Sequence, residues 1–151
     1  MTTITLNAIK EQQTKIAEMI AAFESTAAEY HFPETTIDLA PGEHYAGIII
    51  GKDGEESRHL ILMAAIPTDD LNWKAANDWA KRIGGSLPTR REQSLLFANL
   101  AEQFEERAYW SCQLYEPDSG YAWCQGFYNG YQYSGTLSAG LRARAVRRLP
   151  V

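Results

Sequence analysis

The sequence predicts an α+β fold in which two helices lie on one side of an antiparallel sheet, with a separate helix ahead of them. Three observations carry this expectation. Apolar residues recur at helical spacing within 7–30, 72–83 and 89–104. Short β-rich runs bounded by Gly, Pro and Asp turns fill residues 35–65 and 109–149. The order is hairpin, helices, then strands, which segregates helix from strand instead of alternating them as a parallel sheet requires.

Residues 7–30 read as a helix with a seam. Ile9, Gln13, Ile16, Ile20, Phe23, Ala27 and Tyr30 follow at alternating steps of four and three, a coiled-coil period held for about three heptads. Asn7 is the candidate N-cap. Gln13 in the seam, with Met19 beside it, fits either a helix packed on its own domain or one that joins copies of the chain. In the second case a polar seam residue sets register and oligomer state. Ile9, Gln13, Ile16, Ile20, Phe23 and Ala27 are then the contact residues of a homo-oligomer, a trimer being one form it could take. His31-Phe32-Pro33-Glu34 ends the helix, because Pro disfavours helical geometry in the residue before it. Residues 1–34 therefore form the helical segment and 35–151 the domain.

Within the domain, Thr35–Leu39 reads as a short strand and Pro41-Gly42 as a turn. Tyr45–Gly51 reads as a buried strand, Asp53-Gly54 as a hairpin signal, and Arg58–Ala65 as the returning strand. A helix over about 72–83 puts Trp73, Ala76, Trp79, Ala80 and Ile83 on one stripe and stops at Gly84-Gly85. The next begins after Leu87-Pro88 with a capping box, Thr89 and Glu92 each reaching the other's backbone N–H. Its apolar face is Leu95, Leu96, Leu100 and Phe104, with Asn99 among them. Four strands follow: Tyr109–Leu114, Tyr121–Phe127, Tyr131–Leu137 and Leu141–Leu149. The alternating arginines of the last strand read as salt-bridged structural residues.

Composition bounds the function. A net charge of −5 argues against a nucleic-acid binder, which needs a basic face to neutralise phosphates. The charge is uneven, with ten acids against four bases in residues 1–60 and nine against ten thereafter. No apolar run approaches the roughly 20 residues of a membrane span, so no membrane insertion is expected. The first ten residues show no basic or apolar region of a secretory signal. Two cysteines, Cys112 and Cys124, make no disulfide framework and read as thiols in a reducing compartment.

Candidate chemistry is sparse. His31, His44 and His59 are scattered, no CxxC occurs, and no phosphate loop or nucleophile elbow is present. No metal and no cofactor is expected. The strongest functional signal is the segment from Tyr115 to Tyr133, where rigid aromatics stand among Gly, Ser, Asn and Gln. That is the composition of binding surfaces, which gain contact area with few rotors to freeze. The candidate ligand-binding residues are Tyr115, Tyr121, Trp123, Gln125, Tyr128, Asn129, Tyr131 and Tyr133. Strand alternation lets only part of this set face outward together. The tyrosines from 128 to 133 are the safer choices.

Trp73, Ala76, Trp79-Ala80, Gly84-Gly85-Ser86-Leu87-Pro88-Thr89-Arg90-Arg91-Glu92, Tyr109-Trp110-Ser111, Tyr121-Ala122-Trp123 and Arg142-Ala143-Arg144-Ala145-Val146-Arg147 together resemble the C-type-lectin-like domain. The likeness is to the phage and bacterial branch known as the Lcl C-terminal family, and it covers roughly residues 43–149. The resemblance implies a C-type-lectin-like fold in which the first and last strands of the domain, Tyr45–Gly51 and Leu141–Leu149, pair, and whose long loop-and-strand segment, 115–138, is the ligand face. In phage relatives that face binds protein or host-surface targets, and in phage variable proteins of this fold it is rich in Tyr, Asn, Ser, Asp and Gly. Calcium-dependent sugar-binding members carry a Glu-Pro-Asn-like loop. Glu116-Pro117-Asp118 resembles it, but no Trp-Asn-Asp follows, so a surface turn is expected. Formylglycine-generating enzymes share the fold and use two reactive cysteines. Cys112 and Cys124 have no neighbouring His or Lys in sequence to activate them.

The expected function is a non-catalytic, phage- or prophage-encoded module that binds a bacterial protein or surface target through its aromatic face. One alternative is an intracellular inhibitor of a host defence component using the same face. Another, less favoured by the residues, is a formylglycine-generating-like oxidase. The expected location is the bacterial host cytoplasm, or the virion after lysis.

Overall fold

A computed structural model of the chain describes residues 3–25 and 29–151. Helix α1 spans Leu6–Glu24. Thr5, not Asn7, is its N-cap, since the Thr5 hydroxyl accepts from the Ala8 N–H at 3.2 Å. The helix starts one residue earlier than expected and ends at the Ser25 C-cap, well before Pro33. The expected span of 7–30 is therefore too long at its C-terminal end. No α1 residue is buried. Ile9, Ile16, Ile20 and Phe23 of the seam are exposed, and Ala27 lies outside the described residues. The chain divides into two units at Pro33–Glu34, and the rest of the fold belongs to the second.

That unit is α+β, with two helices and two small antiparallel sheets. The first sheet has the order β1 (His44–Ile49), β2 (Arg58–Leu62), β6 (Val146–Pro150). Asp53 and Gly54 both take positive φ in the turn between β1 and β2, as the Asp-Gly signal predicts. The expected pairing of first strand with last does not form, because β2 lies between them. The physical reason lies in β2 itself. Leu60, Ile61 and Leu62 are all fully buried, so both faces of the strand are covered and it must be central.

Thr35–Leu39 belongs to no strand. β-propensity reports fit to a half-buried surface and does not supply a ladder partner. This segment instead offers the Asp38 carbonyl to Arg147 at 2.9 Å.

The second sheet has the order β3 (Ala108–Leu114), β4 (Tyr121–Gly126), β5 (Gln132–Thr136). The single expected sheet is thus two. The segment expected as strand 141–149 is divided between them. Leu141 bridges Leu71 and Arg142 bridges Tyr109 beside the second sheet, and only Val146–Pro150 forms a ladder, in the first. The alternation of Arg and Ala in sequence is not an alternation of burial, since Arg142, Ala143, Arg144, Ala145 and Val146 are all buried.

α2 (Trp73–Arg82) is capped by the Asn72 side chain and buries Ala76, Trp79 and Ala80. They pack with Leu87, Trp110, Ala122, Cys124, Ala143 and Ala145 in one core. α3 (Arg90–Leu100) begins with the expected capping box. It buries Leu96 and Leu100 in a second core with Leu60, Leu62, Tyr109, Phe127 and Val146.

The arginines of the C-terminal segment are structural, as expected. Arg148 and Arg58 both hydrogen-bond the fully buried Glu92, at 2.7–2.8 Å and 3.0 Å. Arg147 clamps Glu43, and Arg142 lies beside Asp70 and Glu105. Arg144 has no carboxylate partner among the described residues. It donates to the Gln103 and Met63 carbonyls at 2.6 and 2.9 Å. Burial of Glu92 by itself would raise its pKa, but hydrogen bonds from Arg148, the Thr89 N–H and Arg58 outweigh it and hold the carboxyl below its usual range.

Candidate functional surface

The β4–β5 register sorts the aromatic residues into two faces. Tyr121 pairs with Thr136, Trp123 with Ser134 and Gln125 with Gln132, so these six share one face. Ala122, Cys124, Gly135 and Tyr133 share the other, where Ala122 and Cys124 are buried and a Cβ at Gly135 would meet the Trp110 ring at 3.2 Å. Tyr133 is therefore on the opposite side of the sheet from Trp123.

On the first face Trp123 is half-buried between two neighbours. Tyr115 meets it edge-on with ring centroids 5.0 Å apart. The Arg90 guanidinium carbon lies 3.5 Å from its ring centroid, a cation–π contact. A relay of amides holds that arginine. Arg90 Nε donates to Gln132 Oε1 at 3.0 Å, while Gln132 Nε2 donates to the Arg90 carbonyl and to Gln125 Oε1 at 2.7 and 2.8 Å. Gln125 Nε2 in turn donates to the Gln93 carbonyl. Gln125 is thus spent on tying β4 to α3 and is 1% exposed. Burial removes it from the contact residues expected from sequence.

The turn after β4 is anchored from beneath. Phe127 is buried and stacks on Phe104 with centroids 3.9 Å apart, edge-on to Tyr109 and Phe97. Gly130 has φ 79°, and a Cβ there would strike the Phe97 ring at 2.7 Å, so the position requires glycine. Asn129 Oδ1 accepts from the Tyr131 N–H at 3.0 Å and fixes the turn from within. Tyr128 and Tyr131 then stand out at 58% and 72% exposure, beside the exposed Asn129. Tyr133 is 41% exposed, and burial is the main cause of its hydroxyl's raised pKa. The aromatic set is two patches: Tyr115, Tyr121 and Trp123 with Arg90, and the turn tyrosines with Tyr133.

The two thiols lie on adjacent strands and are free. Burial raises the pKa of Cys112 and pushes Cys124 up to about 11, the opposite of what a nucleophilic thiolate needs. Glu116-Pro117-Asp118 forms an exposed turn in which Asp118 Oδ1 accepts from the Gly120 N–H. Among the described residues no three His, Cys, Asp or Glu side chains gather as a metal site, and no helix is long and apolar enough to cross a membrane.

Sequence reasoning missed Arg90, Gln113 and Gln132 as surface residues. Thr89-Arg90-Arg91-Glu92 read only as a helix start, and nothing in its spacing marks one arginine as resting on Trp123. No protein-family model matches this sequence, and no curated protein shows significant similarity to it.

Proposed function

We propose that this chain is a non-catalytic protein-binding module of the C-type-lectin-like kind, encoded by a phage or prophage, whose target is a bacterial protein. The observation that carries the reading is the turn from 127 to 131. A buried Phe127, a Gly130 whose positive φ and closeness to Phe97 disfavour any side chain, and an Asn129 hydrogen bond hold its backbone, and that backbone presents Tyr128 and Tyr131 to solvent. Aromatic side chains, with few rotors and carried on a held backbone, lose little entropy on binding and serve as anchors. The raised thiols count against the oxidase alternative.

The test starts from the full chain, immobilised and exposed to bacterial lysate. A retained protein is identified, purified and titrated by calorimetry against wild type and the Tyr128→Ala/Tyr131→Ala variant. The reading expects at least a tenfold loss of affinity with the unfolding midpoint unchanged. Equal affinity for both chains, or no retained protein that binds when purified, would overturn it.

Self-association through α1 is part of the proposal. Its support is that Ile9, Ile16, Ile20 and Phe23 form an apolar seam on a helix with no buried residue. Gln13 breaks that seam, and in an in-register parallel bundle each Gln13 side chain faces another Gln13, its best available hydrogen-bond partner. Light scattering on the full chain should give a multiple of 17.0 kDa. The mass should return to that of one chain in Ile16→Asp/Ile20→Asp. A wild-type monomer would refute it.

A further inference from the structure

Beside Trp123 the surface opens into a cavity of about 380 Å³ lined by Glu55, Arg58, Arg90, Arg91, Gln113 and Gln132, with the Thr89 and Ser94 side chains at its wall. Three of the N–H groups at the start of α3 are already satisfied. Thr89 accepts from the Glu92 N–H, Glu92 from the Thr89 N–H, and Gln113 from the Arg90 N–H. The strongest group left without an answering charge is a guanidinium.

The three arginines differ in how far they are neutralised. Arg58 is bound by Glu92 and lies 3.5 Å from Glu55. Arg91 donates to the Ile50 carbonyl at 2.7 Å and lies 3.7 Å from Glu55. Arg90 has no carboxylate partner among the described residues. Its Nε is held by Gln132, its plane rests on Trp123, and its two terminal nitrogens have no protein acceptor there. In a chain of net charge −5, this is a locally cationic pocket built around one arginine that is oriented but unpaired.

We propose that this pocket takes the carboxylate of an acidic side chain on the protein target, with Arg90 as the specificity-determining residue. The inference rests on the protein-binding reading. A guanidinium held by its Nε presents its two terminal nitrogens as a fork, and a planar carboxylate matches that fork with two parallel N–H···O bonds. Trp123 holds the fork's plane, so little is lost in ordering it on binding. Glu55 in the same wall disfavours a doubly charged phosphate more than a singly charged carboxylate. The position of the pocket also fits. Tyr115 and Tyr121 share the face of Trp123, so an acidic residue seated on Arg90 would have aromatic contacts beside it.

The test is NMR of the arginine Nε–H groups in the full chain. N-acetylglutamate N-methylamide is titrated, then its glutamine analogue, then inorganic phosphate. The glutamate probe should give a saturable shift of the Arg90 Nε–H at millimolar concentration, at least tenfold weaker for the glutamine probe and for phosphate. The Gln132 side-chain amide, which contacts Arg90, should shift with it in wild type; Arg90→Gln should abolish that shift, and Arg90→Lys should not restore it, because an ammonium has neither the fork nor the stacking plane. Equal responses to the glutamate and glutamine probes, a tighter response to phosphate, or a silent Arg90 would overturn the proposal. Tyr128→Ala/Tyr131→Ala should leave the response intact. A silent Arg90 in a chain that still binds its target removes the pocket alone. A responsive Arg90 in a chain that binds no protein removes the protein-binding reading alone.

Discussion

Two groups of arginines sit within one small domain and are spent differently. Arg142, Arg144, Arg147 and Arg148 come from one C-terminal segment, and each is engaged with carboxylates or backbone carbonyls that join distant parts of the chain. The Arg90 side chain, at the start of α3, hydrogen-bonds one amide and lies over an aromatic ring, with no carboxylate partner among the described residues. The difference teaches how to read a cation in a folded protein. Burial of a charge is tolerated where most of its polar edges have partners, as for these four even though the buried Nε atoms of Arg142 and Arg144 have no hydrogen-bond partner among the described residues, so a paired arginine there is structure. An arginine held in place with its charge unanswered is available to something else.

The sharpest way to break the comparison is to remove the centre of the first group. Glu92→Ala leaves Arg148 and Arg58 without the buried carboxylate they share, and should destabilise the domain by about 3–5 kcal/mol in urea unfolding. A loss below roughly 1 kcal/mol would mean that the buried cluster holds nothing together.

The pH profile sharpens the same point. Glu92 has its folded pKa depressed, so its contribution is fully present above the unfolded carboxylate pKa of about 4.3 and is lost as pH falls through the lower folded value. Glu43, held down chiefly by its hydrogen bond to Arg147, adds in the same direction. Stability should therefore fall steeply on acidification below about pH 4–5 in wild type and less steeply in Glu92→Gln. Parallel acid limbs would remove the cluster from the account.

Arg144→Met comes next. It leaves the Met63 and Gln103 carbonyls without their donor, for a loss of about 1–3 kcal/mol, partly offset because burial already lowers the Arg144 pKa and its charge is poorly solvated. At the small end is Lys74→Ala. Its ion pair with Asp78 is solvent-exposed on both sides, and the unfolding midpoint should not move measurably.

How much of this could be read in the sequence depended on the range of each interaction. The α3 capping box was legible because Thr89 and Glu92 act across three residues. The stripe Ala76, Trp79 and Ala80 was legible because helical period and burial coincide. The α1 cap was displaced from Asn7 to Thr5, since both are good caps and only the local hydrogen bond decides. The central place of β2 could have been inferred from the unbroken Leu60-Ile61-Leu62, but the expectation that first and last strands pair prevailed. The division into two sheets was hidden, because it follows from bridges that residues 141–145 make to segments far away. On the aromatic surface, alternation shows that only part of the set can face outward together, and Tyr133 does lie on the opposite side from Trp123. It could not reveal that Gln125 is consumed by Gln93 and Gln132, nor that Gln132, 42 residues beyond Arg90, holds that arginine in place.

The measurement that reaches the central claim most directly is urea unfolding of Arg148→Gln and Arg90→Gln side by side. If the first arginine is structure and the second is held for binding, Arg148→Gln should lose about 3 kcal/mol, because Glu92 is left partly unpaired in the interior. Arg90→Gln should lose no more than about 1 kcal/mol, the worth of a cation–π contact at a partly exposed site. Equal losses from the two substitutions would contradict the account and make Arg90 one more structural arginine.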